Sequence, residues 1–167
     1  MRIRPATHAD LPAILDIYNE AVLNTTASYD YEPHTPEQRT AWFEEHIQTN
    51  YPVFVAQDGT GRVVGWSALS PYRNRVGYRY TAETSVYVAS DRRGQGIGKL
   101  LLPPLIEAAR QTGLHALVAG IDAEGEASLR LHAAFGFEKV AHFKQVGYKF
   151  GRWLDVIFME LLLGESG

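Results

Sequence analysis

The segment from Arg93 to Lys99 combines basic side chains with glycines at every second position, a composition typical of a phosphate-binding loop. Gly94, Gly96 and Gly98 allow successive backbone N–H groups to point into one concavity, where a helix N-terminus adds unpaired donors and its positive dipole end. An apolar run typical of a strand, Glu83 to Val88, precedes the loop, and a helical pattern follows it. The sequence therefore predicts a site for a phosphate-bearing ligand.

Two common phosphate-binding motifs do not match this segment. A dinucleotide-binding fingerprint has the spacing G-x-G-x-x-G and an acidic residue about 20 positions later at the end of the next strand. This chain has G-x-G-x-G, and its next strand ends near Asp122, too far along. A P-loop requires Ser or Thr after its lysine, whereas Leu100 follows Lys99. Another class of phosphate ligand is indicated.

Composition excludes several classes of function. The 167 residues are 46% hydrophobic and 21% charged with a net charge of −3, so the chain lacks the basic surplus of a protein that binds nucleic acid or an anionic membrane. There is no cysteine, which excludes disulfides, thiolate metal sites and a cysteine nucleophile. No segment approaches the roughly 18 apolar residues of a membrane span, and the histidines show no metal-ligand spacing. We expect one metal-free cytoplasmic domain over residues 1–167.

Periodicity and turn residues predict an α+β fold. The predicted strands are 2–4, 52–57, 62–69, 78–88, 116–121, 137–140 and 155–162. Of the four predicted helices, the first ends near Leu23, the second starts at Pro36, the third ends near Thr112 and the fourth covers 126–135. A strand–helix–strand crossover in the middle requires a parallel pair. We expect a mixed twisted sheet of about seven strands flanked by about four helices. Pro103 and Pro104 predict a kink or a loosened helix near Leu101.

Several segments resemble a known enzyme family. RGQGIG at 93–98 resembles the [RQ]-x-x-G-x-[GA] motif with which GNAT N-acetyltransferases hold the pyrophosphate of acetyl-coenzyme A. YTAE at 80–83, SVYV at 85–88, LH and GF near 131–137, and KFGRWLDV at 149–156 resemble the phosphinothricin N-acetyltransferases within that superfamily. One position departs from the pattern, since Gly125 stands where the family often has an Asn that contacts the coenzyme.

The resemblance implies a GNAT fold with acetyl-CoA as cosubstrate and a small amino acid as acceptor. Phosphinothricin, methionine sulfoximine and methionine sulfone are the implied acceptors, acetylated on the α-amine by direct attack, and a homodimer is expected with the aromatic-rich C-terminal region at its interface. The expected coenzyme-binding residues, with the backbone N–H of Val88 on the thioester carbonyl, are Val86, Tyr87, Val88, Arg93, Gly94, Gln95, Gly96, Ile97, Gly98, Lys99 and Ser128.

Two residues are candidates for proton transfer. An alkyl ammonium has a pKa of roughly 8 to 10, so a base must remove its proton at neutral pH. Glu83 precedes an apolar strand where burial would raise its pKa, and the resemblance places the family's catalytic glutamate there; the alternative is a solvated or salt-bridged Glu. His132 lies where many GNAT enzymes carry a tyrosine acting on the departing thiolate. Packing beside Phe135 and Phe137 is its alternative role.

Aromatic and basic residues before Glu83 are candidates for acceptor binding, because guanidinium groups bind carboxylates and phosphinates in bidentate fashion. These are Tyr29, Tyr31, Arg73, Arg75, Tyr78 and Tyr80, any of which is alternatively a solvated loop residue. Lys149, Arg152, Trp153 and Asp155 either close the site or pack at the sheet edge. The arginines favour an anionic small molecule, but a polyamine, an aminoglycoside or a protein N-terminus stays open as acceptor. A non-catalytic coenzyme A-binding module is the alternative of a different class.

Overall fold

A mixed sheet forms the centre of the computed structural model, which describes residues 1–164. Its strands are β1 (Arg2–Pro5), β2 (Val53–Gln57), β3 (Val63–Pro71), β4 (Thr81–Val88), β5 (Ala116–Asp122), β6 (Glu138–Lys149) and β7 (Arg152–Leu162). The helices are α1 (Leu11–Asn24), α2 (Pro36–Thr49), α3 (Ile97–Gln111) and α4 (Glu126–Ala134). The strand order is β1-β2-β3-β4-β5-β7-β6. This confirms the predicted α+β class and the mixed sheet.

The central pair of strands, β4 and β5, separates after a short parallel contact. Pairing covers only Thr81–Glu83 against Ala116–Val118. Strand β4 then continues along β3 as far as Val88, and β5 continues along β7 as far as Asp122. The sheet therefore opens into a gap between the carboxyl ends of two parallel strands, which is the edge where α/β proteins bind ligands.

Two helical layers cover the sheet. On one face, Leu102, Leu105 and Ala109 of α3 belong to one buried apolar cluster with sheet residues such as Leu117 and Ile157. On the opposite face, α1 and α2 pack against β2 and β3 around a tryptophan, Trp66. Burying such side chains stabilises the fold by about 1.5–3 kcal/mol each. Both layers hold β4 in place at its centre.

Helix α3 continues through its two prolines. It is unbroken from Ile97 to Gln111, with Pro103 and Pro104 inside it. The buried hydroxyl of Ser67 donates a hydrogen bond of 2.9 Å to the carbonyl oxygen of Leu101 at the same level of the helix. A proline removes one backbone donor and crowds the preceding turn, and the Ser67 contact joins this part of α3 to β3. The bend near Leu101 stays a prediction.

Several strand boundaries differ from those predicted. Strand β4 begins at Thr81 rather than Tyr78, because residues Val76–Tyr78 form a 3₁₀ turn closed by the hydrogen bond from Tyr78 N–H to Arg75 O. Strands β6 and β7 form a long hairpin, whereas the predicted strands covered only 137–140 and 155–162. Bulges interrupt β6, and Gln145 has a positive φ of 55°, so alternation of polar and apolar residues is lost there. The turn residues Phe150 and Gly151 both have positive φ, as the tight hairpin turn requires.

Candidate active site

The gap between β4 and β5 exposes backbone groups of β4. The N–H of Ala89 donates to Val64 O at 2.8 Å and so points toward β3. Because N–H and C=O groups alternate in direction along a strand, those of Val86 and Val88 point into the gap, where β5 has already diverged. Hydrogen-bonding groups aimed into a cleft suit an extended ligand that adds to the strand. The predicted role of the Val88 N–H fits this geometry.

A cavity of about 310 Å³ occupies this gap, at the small end of the range for ligand sites. Its walls come from the loop after α1, from β4 and β5, and from the start of α4. The lining residues are Thr25, Thr26, Ala27, Thr84, Val86, Tyr87, Ala119, Gly120, Ile121, Asp122, Glu124, Gly125, Ser128 and His132. The cavity includes three of the residues predicted to bind coenzyme, Val86, Tyr87 and Ser128.

The glycine loop leads from the end of β4 to the N-terminus of α3. Gly94 and Gly96 have positive φ values of 76° and 80°, which only glycine adopts without strain. Gly96 is the N-cap, and no side chain caps the helix. Gly98 lies close to α4, because a Cβ there would be 3.1 Å from the side chain of Leu131. The loop thus presents uncapped N–H groups and a positive dipole end to an anion.

Salt bridges hold the arginines of this loop. Arg93 Nη2 lies 2.6 Å from Glu20 Oε2 on α1, and Arg92 Nη1 lies 2.9 Å from Asp58 Oδ2. Arg92 Nε also donates to the side chain of Gln95 at 3.1 Å. The Arg93 and Lys99 side chains are exposed at the mouth of the loop. The residues present therefore fit a pyrophosphate group, which would lie on the uncapped helix N-terminus beside basic side chains.

Glu83 lies half-buried where β4 and β5 separate. An ideal Cβ on Gly120 would be 3.4 Å from Glu83 Oε1, so the carboxyl group lies against the backbone of β5. Burial raises the pKa of the Glu83 carboxyl above its usual value, while a hydrogen bond from the Gly120 N–H and the charge of Arg73 act in the opposite direction. A raised carboxyl pKa is what a general base working near neutral pH needs. The role of Glu83 as base stays a prediction that this geometry supports.

His132 lies on the opposite side of β4 from Glu83, at the α4 wall of the cavity. It is 3% exposed, its Nδ1 is 2.9 Å from Ser128 O, and its Nε2 is 2.9 Å from Thr84 Oγ1. A carbonyl only accepts, so Nδ1 carries the proton and Nε2 accepts from the Thr84 hydroxyl. Burial lowers the pKa of His132, opposed by its bond to Ser128. A neutral imidazole packed edge-on against Phe137 favours the alternative of packing over that of an acid.

We expect acid to destabilise the protein through its buried histidines. Burial lowers the pKa of both His46 and His132, so the unfolded chain binds protons more readily than the folded one below pH about 6.5. Their stabilisation is present above that pH and is lost as pH falls. Between about pH 7.5 and pH 5 each should lower the free energy of unfolding by at most about 2 kcal/mol, measured by urea denaturation.

The variant His132→Asn should flatten this dependence, whereas His115→Asn, at an exposed position, should leave it unchanged. Since Glu83 has a raised pKa and contributes with the opposite sign, the difference in slope between the two variants is the decisive quantity. Equal slopes in both variants would contradict the assignment of a neutral His132.

The residues predicted to bind the acceptor are only partly brought together. Arg73 lies near enough to Glu83 to lower the pKa of that carboxyl. Arg75, Tyr78 and Tyr80 are exposed on the turn before β4 and do not line the cavity among the described residues. Tyr78 packs edge-on against Tyr72 with ring centroids 5.4 Å apart. The structure therefore places one of the two arginines beside the candidate base.

Tyr29 contacts the floor of the site. Its hydroxyl donates to Asp122 Oδ2 at 2.6 Å, at the end of β5. Asp122 is buried and also accepts from the N–H of Glu124 at 2.9 Å through Oδ1. The sequence reading missed Asp122 as a site residue, along with Thr84 and Gly120. Asp122 could have been predicted from its position, because it ends β5, the strand parallel to β4, and ligands bind at the carboxyl ends of such strands.

The four residues of uncertain role near the hairpin turn separate into different groups. Lys149 is buried and donates to backbone carbonyls of the loop after α1. Arg152 pairs with Glu124, and Asp155 accepts from His142 at 2.8 Å. Trp153 is exposed beside Tyr148. Lys149 and Arg152 therefore each contact a residue that lines the cavity, Lys149 through Thr25 and Arg152 through Glu124.

Comparison with known proteins identifies the family. Residues 3–158 match the model of the acetyltransferase (GNAT) domain. An L-methionine sulfoximine/L-methionine sulfone acetyltransferase of Pseudomonas aeruginosa is 49% identical over 98% of this chain and 95% of that protein. The chain belongs to the GNAT acetyltransferases, and it is an N-acetyltransferase. The family, fold and enzyme class predicted from the sequence are confirmed.

Two solved structures are closely similar. A phosphinothricin acetyltransferase from Sinorhizobium meliloti, in complex with acetyl-CoA, has a TM-score of 0.95 and 39% identity, covering 98% of this chain and 88% of that one. A ribosomal-protein-alanine N-acetyltransferase from Brucella melitensis has a TM-score of 0.94 and 49% identity, covering 97% and 99%. The first supports acetyl-CoA as cosubstrate. The names of the two differ in acceptor class.

Proposed function

We propose that this protein transfers an acetyl group from acetyl-CoA to the α-amine of a small amino acid, with phosphinothricin, methionine sulfoximine and methionine sulfone as the model acceptors. The observation that carries the proposal is the half-buried carboxyl of Glu83 at the opening between β4 and β5. A general base there lies beside the backbone groups that would hold a thioester. The relatives that match nearly the whole chain support this choice of acceptor.

The two sides of the gap carry different tasks. When bound, acetyl-CoA would supply the thioester carbonyl, with its pyrophosphate on the N–H groups after Gly96 and its arm along Val86 and Val88. The Val88 N–H would then donate to the carbonyl oxygen as negative charge develops on it, the role of an oxyanion hole. On the other side, Glu83 would take the proton from the acceptor ammonium. Since the chain has no cysteine, the amine attacks the thioester carbonyl directly, the amide bond forms, and coenzyme A leaves as its thiolate.

The turn before β4 supplies positive charge for an anionic acceptor. Arg73 and Arg75 are both exposed there, and Arg73 lies near Glu83. A guanidinium would bind the α-carboxylate or a phosphinate while the α-amine faces the base. A polyamine or aminoglycoside would meet repulsion at the same place. This charge arrangement is the reason for preferring a small anionic amino acid.

A protein N-terminus is the second candidate acceptor, because one relative of 49% identity is named a ribosomal-protein-alanine N-acetyltransferase. Thiol release should be measured with methionine sulfone, phosphinothricin, spermidine, kanamycin and a peptide starting with alanine. We expect the two amino acids to have the highest kcat/KM. A preference for the peptide would establish the second candidate. Coenzyme A binding without thiol release from any amine would instead indicate a non-catalytic module.

We also propose a homodimer formed through the β6–β7 hairpin. Large apolar side chains are exposed along it, including Val140, Phe143, Val146 and Trp153, which are 50–63% exposed. Clustered exposed apolar side chains of this kind mark interaction surfaces.

We also place the enzyme in the cytoplasm, because the absence of cysteine fits a reducing compartment. No helix among residues 1–164 is long and apolar enough to cross a membrane.

Because of the exposed apolar surface of the β6–β7 hairpin, sedimentation at micromolar concentration should show a dimer. The variant Phe143→Asp places a charge in the hairpin surface and should shift the protein to a monomer, because an unpaired charge is costly to bury. Leu23→Asp, at an apolar position of α1 that is 53% exposed, is the matched control and should remain dimeric. A monomeric wild-type protein would contradict the proposal.

A further inference from the structure

The loop between α1 and α2, residues 25–35, forms a wall of the site. Thr25, Thr26 and Ala27 line the cavity. The loop has no helix or strand of its own, so the contacts made by its backbone and side chains decide its conformation. Contacts from α1, β4 and the β6–β7 hairpin hold this wall.

Tyrosines of α1 and β4 contact the loop. The hydroxyl of Tyr18 lies 2.9 Å from Ser28 Oγ and also contacts Asp30. The hydroxyl of Tyr87 donates to Ala27 O at 3.4 Å, near the limit of a hydrogen bond. These contacts involve side chains of the loop or one long hydrogen bond. Neither tyrosine therefore gives a short hydrogen bond to a backbone carbonyl next to the cavity.

Lys149, at the end of β6, holds two of those carbonyls. Its Nζ donates to Thr25 O at 2.8 Å and to Ser28 O at 2.6 Å. The residue is 3% exposed, and a buried ammonium requires hydrogen-bond acceptors. The two carbonyls bracket Thr26 and Ala27 of the cavity wall. One buried side chain of the hairpin therefore holds both ends of the segment that lines the cavity next to Tyr29, a residue expected to bind the acceptor.

Gly147 provides a second, independent contact between hairpin and loop. A Cβ at this position would lie 2.5 Å from the ring of Tyr29. The φ of Gly147 is not in the positive range, so glycine is required here by the close approach of the ring. That approach lets the Tyr29 hydroxyl reach Asp122 at the end of β5. The absence of a side chain at Gly147 therefore allows the hairpin to pack against Tyr29 of the loop.

We propose that Lys149 is a positioning residue for the acceptor side of the site, because it fixes residues 25–28 against the β6–β7 hairpin. This inference rests on the proposed function for its effect on kinetics, although the contact itself does not. Loss of the ammonium leaves two carbonyls next to the cavity without their donor, and the wall can then move. A displaced wall weakens binding and orientation of the amine, whereas the glycine loop that would hold the coenzyme lies elsewhere.

The test compares Lys149→Met and Gly147→Ala with the control Lys139→Met, an exposed lysine on the same strand. Hydrogen–deuterium exchange is followed in peptides covering 24–34 and 93–99. Kinetics with methionine sulfone give KM and kcat, and calorimetry gives the dissociation constant of acetyl-CoA. Sedimentation and thermal unfolding verify that each variant folds and keeps the oligomeric state of the wild type.

For Lys149→Met we expect faster exchange in 24–34 only, a KM for the amine raised about 10-fold or more, and acetyl-CoA binding within about 2-fold of wild type. Gly147→Ala should show the same pattern, and Lys139→Met should match the wild type. Unchanged exchange in 24–34 overturns the proposal. Slower turnover with uniformly faster exchange across the chain also overturns it, since that marks general destabilisation. If the wild type acetylates no amine, the proposed function fails while the exchange result still decides whether Lys149 holds the loop.

Discussion

Replacing Glu83 by Gln should lower kcat/KM for the acceptor amine at neutral pH by roughly 10² to 10⁴-fold, the usual contribution of a general base. The amide keeps the size of the side chain and can accept a hydrogen bond from the Gly120 N–H. It cannot take a proton from the acceptor ammonium. Binding of acetyl-CoA should be unchanged, because the glycine loop and the N-terminus of α3 are separate from this carboxyl.

The pH profile of the Glu83→Gln variant gives a second measurement. Burial raises the pKa of Glu83, and the wild-type rate should fall as pH decreases through that raised value. The variant should lack this acidic limb, and its residual rate should increase with pH as free amine becomes available. Glu107→Gln, on the exposed side of α3, is the matched control and should behave as the wild type. A Glu83→Gln rate within about 3-fold of wild type at neutral pH would show that Glu83 is not the base.

Replacing Gly96 by Ala should weaken acetyl-CoA binding by about 10-fold or more. A residue with a Cβ at φ 80° is strained by about 1–2 kcal/mol, and relief of that strain would turn the N–H groups of the loop away from the phosphates. The added Cβ meets no protein atom within 4 Å, so the expected loss of binding comes from the changed backbone of the loop and not from a clash within the protein. Calorimetry with acetyl-CoA and with coenzyme A measures the effect.

Gly113 offers a close control at the other end of the same helix. Its φ is 77°, and a Cβ there also meets no atom within 4 Å. Gly113→Ala should therefore cost similar stability but leave coenzyme binding unchanged. If both variants bind acetyl-CoA equally well, the loop after Arg93 is not the pyrophosphate site.

Local sequence was enough to predict the coenzyme side of the site. Gly94 and Gly96 need positive φ, and that requirement depends on residues next to each other in the chain. The strand before the loop and the helix after it follow from periodicity over short windows. The family resemblance uses the same local segments, which is why it identified the fold and the cosubstrate.

The acceptor side depends on contacts between distant parts of the chain. Tyr29 reaches Asp122 across 93 positions, and Lys149 reaches Ser28 across 121. Tyr29 was predicted to be near the acceptor, but its partner was not. Bulges in β6 concealed the hairpin that supplies Lys149, because a bulge breaks the alternation from which a strand is recognised.

Short stretches of sequence predict the glycine loop from Arg93 to Lys99, the strand before it and a phosphate-bearing ligand, because neighbouring residues set the backbone conformation at a turn. The tertiary structure decided the rest of the site. It separated β4 from β5, placed Glu83 against Gly120, and buried His132, which lowers the pKa of its ring. Burial and long-range contacts set these properties, and both exist only once the sheet and its two helical layers have come together.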